Sequence, residues 1–248
     1  MTLLVVFAFS FAVNGVVVTD AAKKANASAN ATSSEATKTE KVSSVKYKTK
    51  KLNYTKKFKS ENKKYTIKDT EYIKKVILTG SSDAVKKINK QMNKEYKYYI
   101  KNMPKGKYAK AVAKDITANA EYQATYDTKV SYNDNGVVSF VISFGWYQGG
   151  VTDSGAYGYT FDLNTGKALK LKDVCKGTNK SLTKKIKSSL KKNYKKAGFD
   201  KDLFKKIKAN KANFFIEKDG NVTVMFNKYE IADGASGVFE VSIPSIYK

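Results

Sequence analysis

The sequence predicts an α+β domain, an antiparallel sheet of hairpins packed against two long amphipathic helices. Three observations carry that reading. Apolar residues recur at every second position in several segments after residue 120. They recur at every third or fourth position in two stretches, Val85 to Tyr99 and Leu182 to Tyr194. Turn signals, among them Asn133-Asp134-Asn135-Gly136, Asn164-Thr165-Gly166-Lys167 and Asp219-Gly220, punctuate the alternating runs.

Taken from the N-terminus, residues 3–18 are almost all apolar, broken by Ser10, Asn14 and Gly15, and polarity rises at Thr19 and Asp20. That length suits a signal-peptide core more than a membrane span, with a small-residue cleavage pattern near Ala21; an uncleaved anchor is the alternative. Residues 22–44 are Ala, Ser, Thr, Asn and Lys with a single valine, too little apolar surface to offset the entropy of ordering, so they read as a flexible linker. The folded domain is placed at 45–248, helix-bearing to about residue 120 and hairpin-rich from about 121.

Val45, Tyr47, Leu52 and Tyr54 suggest a first strand, and residues 65–78 a second. Ser82 is placed to cap a long helix, with Asp83 in its first turn and Val85, Ile88, Met92, Tyr96 and Tyr99 along one face. A shorter helix is expected over 108–119. Tyr122, Ala124, Tyr126, Thr128, Val130 and Tyr132 then alternate with polar residues, predicting a strand that is apolar on one face. The return strand sets Val138, Phe140, Ile142 and Phe144 on one face, and a third does the same with Tyr157, Tyr159, Phe161 and Leu163. A second long helix is expected over 180–196, stopped by Gly198, and a short one over 202–209. Strands at 214–217, 222–226 and 238–243 complete the fold.

The charge excludes more chemistry than it suggests. All 47 basic residues are lysine, against 22 acidic ones, for a net charge of +25 with no histidine. Removing residues 1–21 would take away Asp20 and no lysine, raising the charge further. Without histidine there is no Ser-His-Asp or Cys-His pair and no His-ligated metal centre. Without arginine there is no bidentate fork for guanine or phosphate, so specific nucleic-acid readout is not expected, whereas diffuse attraction to a polyanion is. Cys175 is the only cysteine, which removes any intramolecular disulfide and favours a bacterial exported protein; it reads as a small buried hydrophobe at a strand end. No cofactor and no metal are expected.

The strongest binding candidates are the single tryptophan and its neighbours, Trp146, Tyr147, Gln148, Gly149 and Gly150, where aromatic faces beside permissive backbone suit sugar stacking or a protein contact. The plainer reading is a hairpin end whose tryptophan caps the core. Tyr157, Tyr229 and Glu230 join the list, Glu230 as a hydrogen-bond acceptor near that loop or as a local turn cap. Asp153, Asp162 and Asp173 could be read as glycosidase acids, but nothing in their spacing fixes a separation. Ser181-Leu182-Thr183-Lys184 matches the Ser-x-x-Lys pattern of penicillin-recognising enzymes without its partner motifs, as lysine-rich sequence produces by chance.

Three stretches together resemble a known family. Gly145–Gly150 (GWYQGG), Tyr157–Lys167 (YGYTFDLNTGK) with Leu169–Val174, and Met225–Asp233 (MFNKYEIAD) with Gly237 and Phe239–Pro244 are similar to signatures of a bacterial extracytoplasmic domain of unknown function. That domain forms the extracellular part of lysozyme-sensing anti-sigma-V factors and precedes the catalytic domain of some peptidoglycan deacetylases. Here the Gly-Gly pair runs into Val151-Thr152-Asp153 instead of the family's Ala-His. The resemblance implies an α+β fold and a binding or sensory role on the wall side of a bacterial membrane, Gram-positive in type. The expected partner is an anionic wall polymer or an extracellular protein. Lysozyme is disfavoured because it is itself cationic. A membrane partner follows only if residues 1–21 stay attached, and a peptidoglycan-modifying enzyme or accessory module is the alternative.

Overall fold

The computed structural model describes residues 42–103 and 105–247. The segment read as a signal peptide and nearly all of that read as a linker lie outside the described residues. Among those described, no helix is long and apolar enough to cross a membrane.

The architecture is α+β, with two sheets. The first has five strands in the order β1 (Tyr47–Lys59), β2 (Thr66–Leu78), β3 (Ala120–Asp134), β4 (Val137–Gln148) and β5 (Val151–Asp162). Between β2 and β3 the chain forms α1 (Asp83–Asn102) and the short α2 (Lys107–Val112). The hairpin reading holds for β1–β2, β3–β4 and β4–β5, all antiparallel. It fails for β2 and β3, which pair in parallel from Ile67↔Ala120 to Lys74↔Asp127. A helix returning the chain to the strand's starting end requires that direction.

The α1 helix forms as its sequence dictates. Ser82 Oγ accepts the Val85 amide at 3.2 Å, and Val85, Ile88, Met92, Tyr96 and Tyr99 are all buried. They pack on Ile73, Val138, Phe140, Ile142 and Phe161 from the sheet and on Leu163 just after β5. Each fully buried aliphatic side chain of this layer contributes roughly 1.5–3 kcal/mol. The expected helix over 108–119 ends at Val112 and gives way to a 3-10 turn at Ala113–Asp115, because Ile116 to Asn119 lead into β3 and Asn119 Oδ1 accepts the Thr66 amide.

The expected single apolar face of β3 breaks near its end. A register shift between Val130 and Tyr132 turns Tyr132 across the sheet, out of the α1 core and into the second core. One extra residue in a strand has that effect. The β3–β4 turn is as predicted, with Asn135 and Gly136 both at positive φ.

The second sheet holds β6 (Asn213–Ile216), β7 (Val222–Phe226) and β8 (Phe239–Ile243), all antiparallel. One face packs on α4 (Asn179–Asn193) through Leu182, Ile186 and Leu190. The other sets Phe215 and Met225 against Ala156 of the first sheet. Ahead of α4 lies α3 (Leu171–Val174), with buried Cys175 as its C-terminal cap, so the cysteine ends a helical turn and not a strand. The α4 helix stops at Asn193, short of the expected 196, and Gly198 is not its stop. Tyr194 closes it: its hydroxyl accepts the Glu240 amide and donates to the Glu240 carbonyl, both at 3.1 Å, and its ring meets Phe239 edge-on. The following α5 (Lys201–Lys205), capped by Asp200, is likewise shorter than expected, since residues 209–211 form a separate 3-10 turn.

Candidate functional site

The hairpin of β4 and β5 carries the sequence-predicted tryptophan segment. Trp146, Tyr147 and Gln148 are strand residues, and the turn itself is Gly149-Gly150 alone, with φ of 59° and 98°. Both values fall where a side chain is strained, so the glycine pair is what a two-residue turn demands. Trp146 lies between Ala124 and Asp153 in the ladder and is half-buried, while Tyr147 and Val151 are exposed. The tip therefore offers one tyrosine and one valine to solvent.

Of the other predicted residues, Tyr157 lies on the edge strand β5, while Tyr229 and Glu230 sit in the turn after β7. Asn227, buried at the end of β7, accepts the Ala156 amide at 2.9 Å and donates to the Ala156 carbonyl at 3.1 Å. Asn213 does the same kind of work from β6, accepting from Gly158 and donating to Ala156, both at 2.8 Å. Two asparagines thus occupy backbone groups that an edge strand would leave open. Lys228 pairs with Asp153 at 3.4 Å. Tyr157 stacks on Phe144, with 5.6 Å between ring centres. Burial, followed by the nearby Glu230 charge, pushes its hydroxyl up to about 12. Glu230 is an exposed residue; desolvation raises its carboxyl while the Asn227 backbone and side-chain amides favour its charged form. Tyr229 is 70% exposed at φ 68°.

The three aspartates flagged as possible acids have structural duties. Asp162 Oδ1 accepts from the Asn164 and Thr165 amides and the Thr165 hydroxyl, at 2.7–2.9 Å, and so builds the turn after β5. Asp173 accepts the Lys170 amide at 2.8 Å. Asp153 is held by Lys228. Ser181, the serine of the Ser-x-x-Lys pattern, caps α4 through the Thr178 amide at 2.9 Å.

Sequence reasoning missed a pair of acids on β2. Asp69 and Glu71 are buried, Glu71 with no exposed surface. The Gly106 amide donates to Glu71 Oε1 at 3.0 Å, and Glu71 Oε2 has no hydrogen-bond partner. Burial pushes the Glu71 carboxyl up to about 6 against the Gly106 amide, with the Asp69 charge adding to the rise; burial also raises Asp69. Tyr54 from β1 and Tyr122 from β3 face the pair, and both hydroxyls are raised by burial first and by the Asp69 charge second. The signal lay in the alternation of Ile67, Asp69, Glu71 and Ile73, which puts the acids on the same inward face as two fully buried isoleucines. Among the described residues no group of three or more Cys, Asp or Glu side chains is placed to hold a metal ion.

Cys175 is 3% exposed, and burial pushes its thiol up to about 11. At pH 8 the native protein is expected to react with iodoacetamide at least tenfold more slowly than the same protein in denaturant, as read by intact mass. Equal rates would show that the thiol is accessible.

These elements define a two-sheet α+β domain whose C-terminal segment is locked onto an edge strand. Residues 172–245 match the family model DUF3298, described as a protein of unknown function. The matched span holds the Met225–Asp233 signature, and the Gly145–Gly150 and Tyr157–Lys167 stretches lie before it. The fold is similar to that of a crystal structure of a DUF3298 family member from Bacteroides fragilis, with a TM-score of 0.54 and 16% identity over 82% of this chain and 92% of that one. A DUF3298 family protein from Pseudomonas aeruginosa aligns with a TM-score of 0.48 and 18% identity, over 80% of this chain and 91% of that one. No curated protein matches.

Proposed function

We propose that this chain is a non-catalytic binding domain of the bacterial cell envelope that holds an anionic polymer mainly by electrostatic attraction. One observation carries the reading. Against 47 lysines, those within 4 Å of a carboxylate among the described residues are Lys68, Lys74, Lys86, Lys205 and Lys228. The net charge of +25 gives the chain a field of one sign that attracts polyanions over a Debye length, about 10 Å at 0.1 M salt. The three aspartates and the serine that the sequence offered to a catalytic reading, Asp153, Asp162, Asp173 and Ser181, are engaged in turns, caps and an ion pair. The apolar run of residues 3–18 and the resemblance to anti-sigma-V extracellular domains support an envelope-side setting.

The test is retention of the purified chain on bacterial walls rich in anionic polymer. Binding is expected at about 50 mM salt and to weaken roughly tenfold or more by about 300 mM, as screening requires. Absence of retention at low salt would end the electrostatic reading.

A further inference from the structure

Helix α4 differs from α1 in a way its packing does not require. It carries Lys180, Lys184, Lys185, Lys187, Lys191 and Lys192 and no acidic residue, whereas α1 contains Asp83 and Glu95. Lysines four apart on one helix, such as 180 with 184 and 187 with 191, repel each other and weaken the helix. Four of them, Lys180, Lys184, Lys187 and Lys191, line one side of an open groove of about 500 Å³ whose other wall is Phe204 of α5. Lys187 and Lys191 lie 5.7 and 5.6 Å from the centre of that ring, and Lys187 Nζ donates to the Lys205 carbonyl at 3.0 Å. The nearby acid on α5, Asp202, pairs with Lys205 at 3.5 Å and does not line the groove.

The structure assigns this groove to a linear phosphodiester polymer in which short carbon chains separate the phosphates. The inference rests on the proposed function and names its ligand class and seat. At 1.5 Å rise per residue, successive lysines of the row stand about 4.5–6 Å apart along the axis, some 16 Å in all. Six covalent bonds, the path from one phosphorus to the next through a three-carbon polyol, reach about 7 Å when extended, by the same reckoning that gives two residues of polypeptide that length. Such a polymer can therefore set one phosphate against each lysine with slight slack. Inorganic polyphosphate, with two bonds per repeat, packs its charges too densely for this row. The Phe204 ring, over which the Lys187 and Lys191 ammonium groups stand, gives the carbon segments an apolar surface.

The test compares three full-length proteins for poly(glycerol phosphate) binding by calorimetry at low salt, alongside thermal melts. One is unaltered, one carries Lys180→Gln, Lys184→Gln, Lys187→Gln and Lys191→Gln, and one removes the same charge from β1 through Lys48→Gln, Lys50→Gln, Lys51→Gln and Lys57→Gln. The α4 variant is expected to lose at least tenfold in affinity and to melt higher than the parent without ligand; the β1 variant should lose less than threefold. Equal losses in both variants would overturn the groove while leaving the general electrostatic reading intact. Failure of the unaltered protein to bind would overturn both. Inorganic polyphosphate and a carboxylated glycan serve as further probes, and binding of either as tight as that of poly(glycerol phosphate) would overturn the phosphodiester assignment.

Discussion

Substituting alanine for Gly158 is expected to destabilise the domain by about 3 kcal/mol or more and to lower its melting temperature by roughly 10 °C. A methyl group at this position in β5 would fall on the carbonyl group of Phe214 in β6. The obstacle is backbone, so no side-chain rotation relieves it. To make room, β6 must withdraw, and with it Asn213, whose two hydrogen bonds to Gly158 and Ala156 join the sheets. Each bond contributes about 1 kcal/mol and leaves a buried group unsatisfied when broken. Gly198→Ala is the control, since a methyl there meets nothing within 4 Å. Denaturant and thermal melts of both variants measure the difference. A Gly158→Ala protein within 0.5 kcal/mol of its parent would mean that the sheets are not in backbone contact at this point.

The second large effect concerns Glu71. Its carboxyl is raised from 4.5 to about 6, so the folded state holds the proton more tightly than the unfolded state. Stability from this group is therefore full below about pH 4.5 and is lost as pH climbs through about 6. A shift of that size corresponds to about 2 kcal/mol at neutral pH. Glu71→Gln removes the charge, keeps an acceptor for the Gly106 amide and offers an amide donor toward Asp69. The variant is expected to be up to about 2 kcal/mol more stable than the parent at pH 7 and nearly equal to it at pH 4, as read from urea melts across that range. An unchanged pH slope would show that Glu71 is not the group responsible.

What could be read without coordinates was local. The Ser82 cap, the five-residue stripe of α1 and the Asn135-Gly136 turn depend on neighbours a few positions away, and all three stand in the structure. What could not be read depends on distant partners. The parallel pairing of β2 with β3 follows from where α1 returns the chain, and Tyr194 ends α4 because Glu240, far along the sequence, receives its hydroxyl. The junction of the two sheets rests on Asn213 and Asn227 reaching across to β5, which no periodicity announces. For the candidate site, the hairpin around Gly149-Gly150 was legible from its glycines, while the place of Asn227 beneath Tyr229 and Glu230 was not. The Asp69–Glu71 pair was written in plain alternation but sits in a strand, away from the loops where binding residues are usually sought.

Strand β1 forms the outer rim of the large sheet, and Lys48, Lys50, Lys51, Lys56, Lys57 and Lys59 are spread along it without an acidic residue. Two copies meeting rim to rim would bring these rows together, and their mutual repulsion opposes sheet growth from one molecule into the next. The same excess of cations that the proposed polymer binding would use thus also opposes edge-to-edge association of neighbouring molecules.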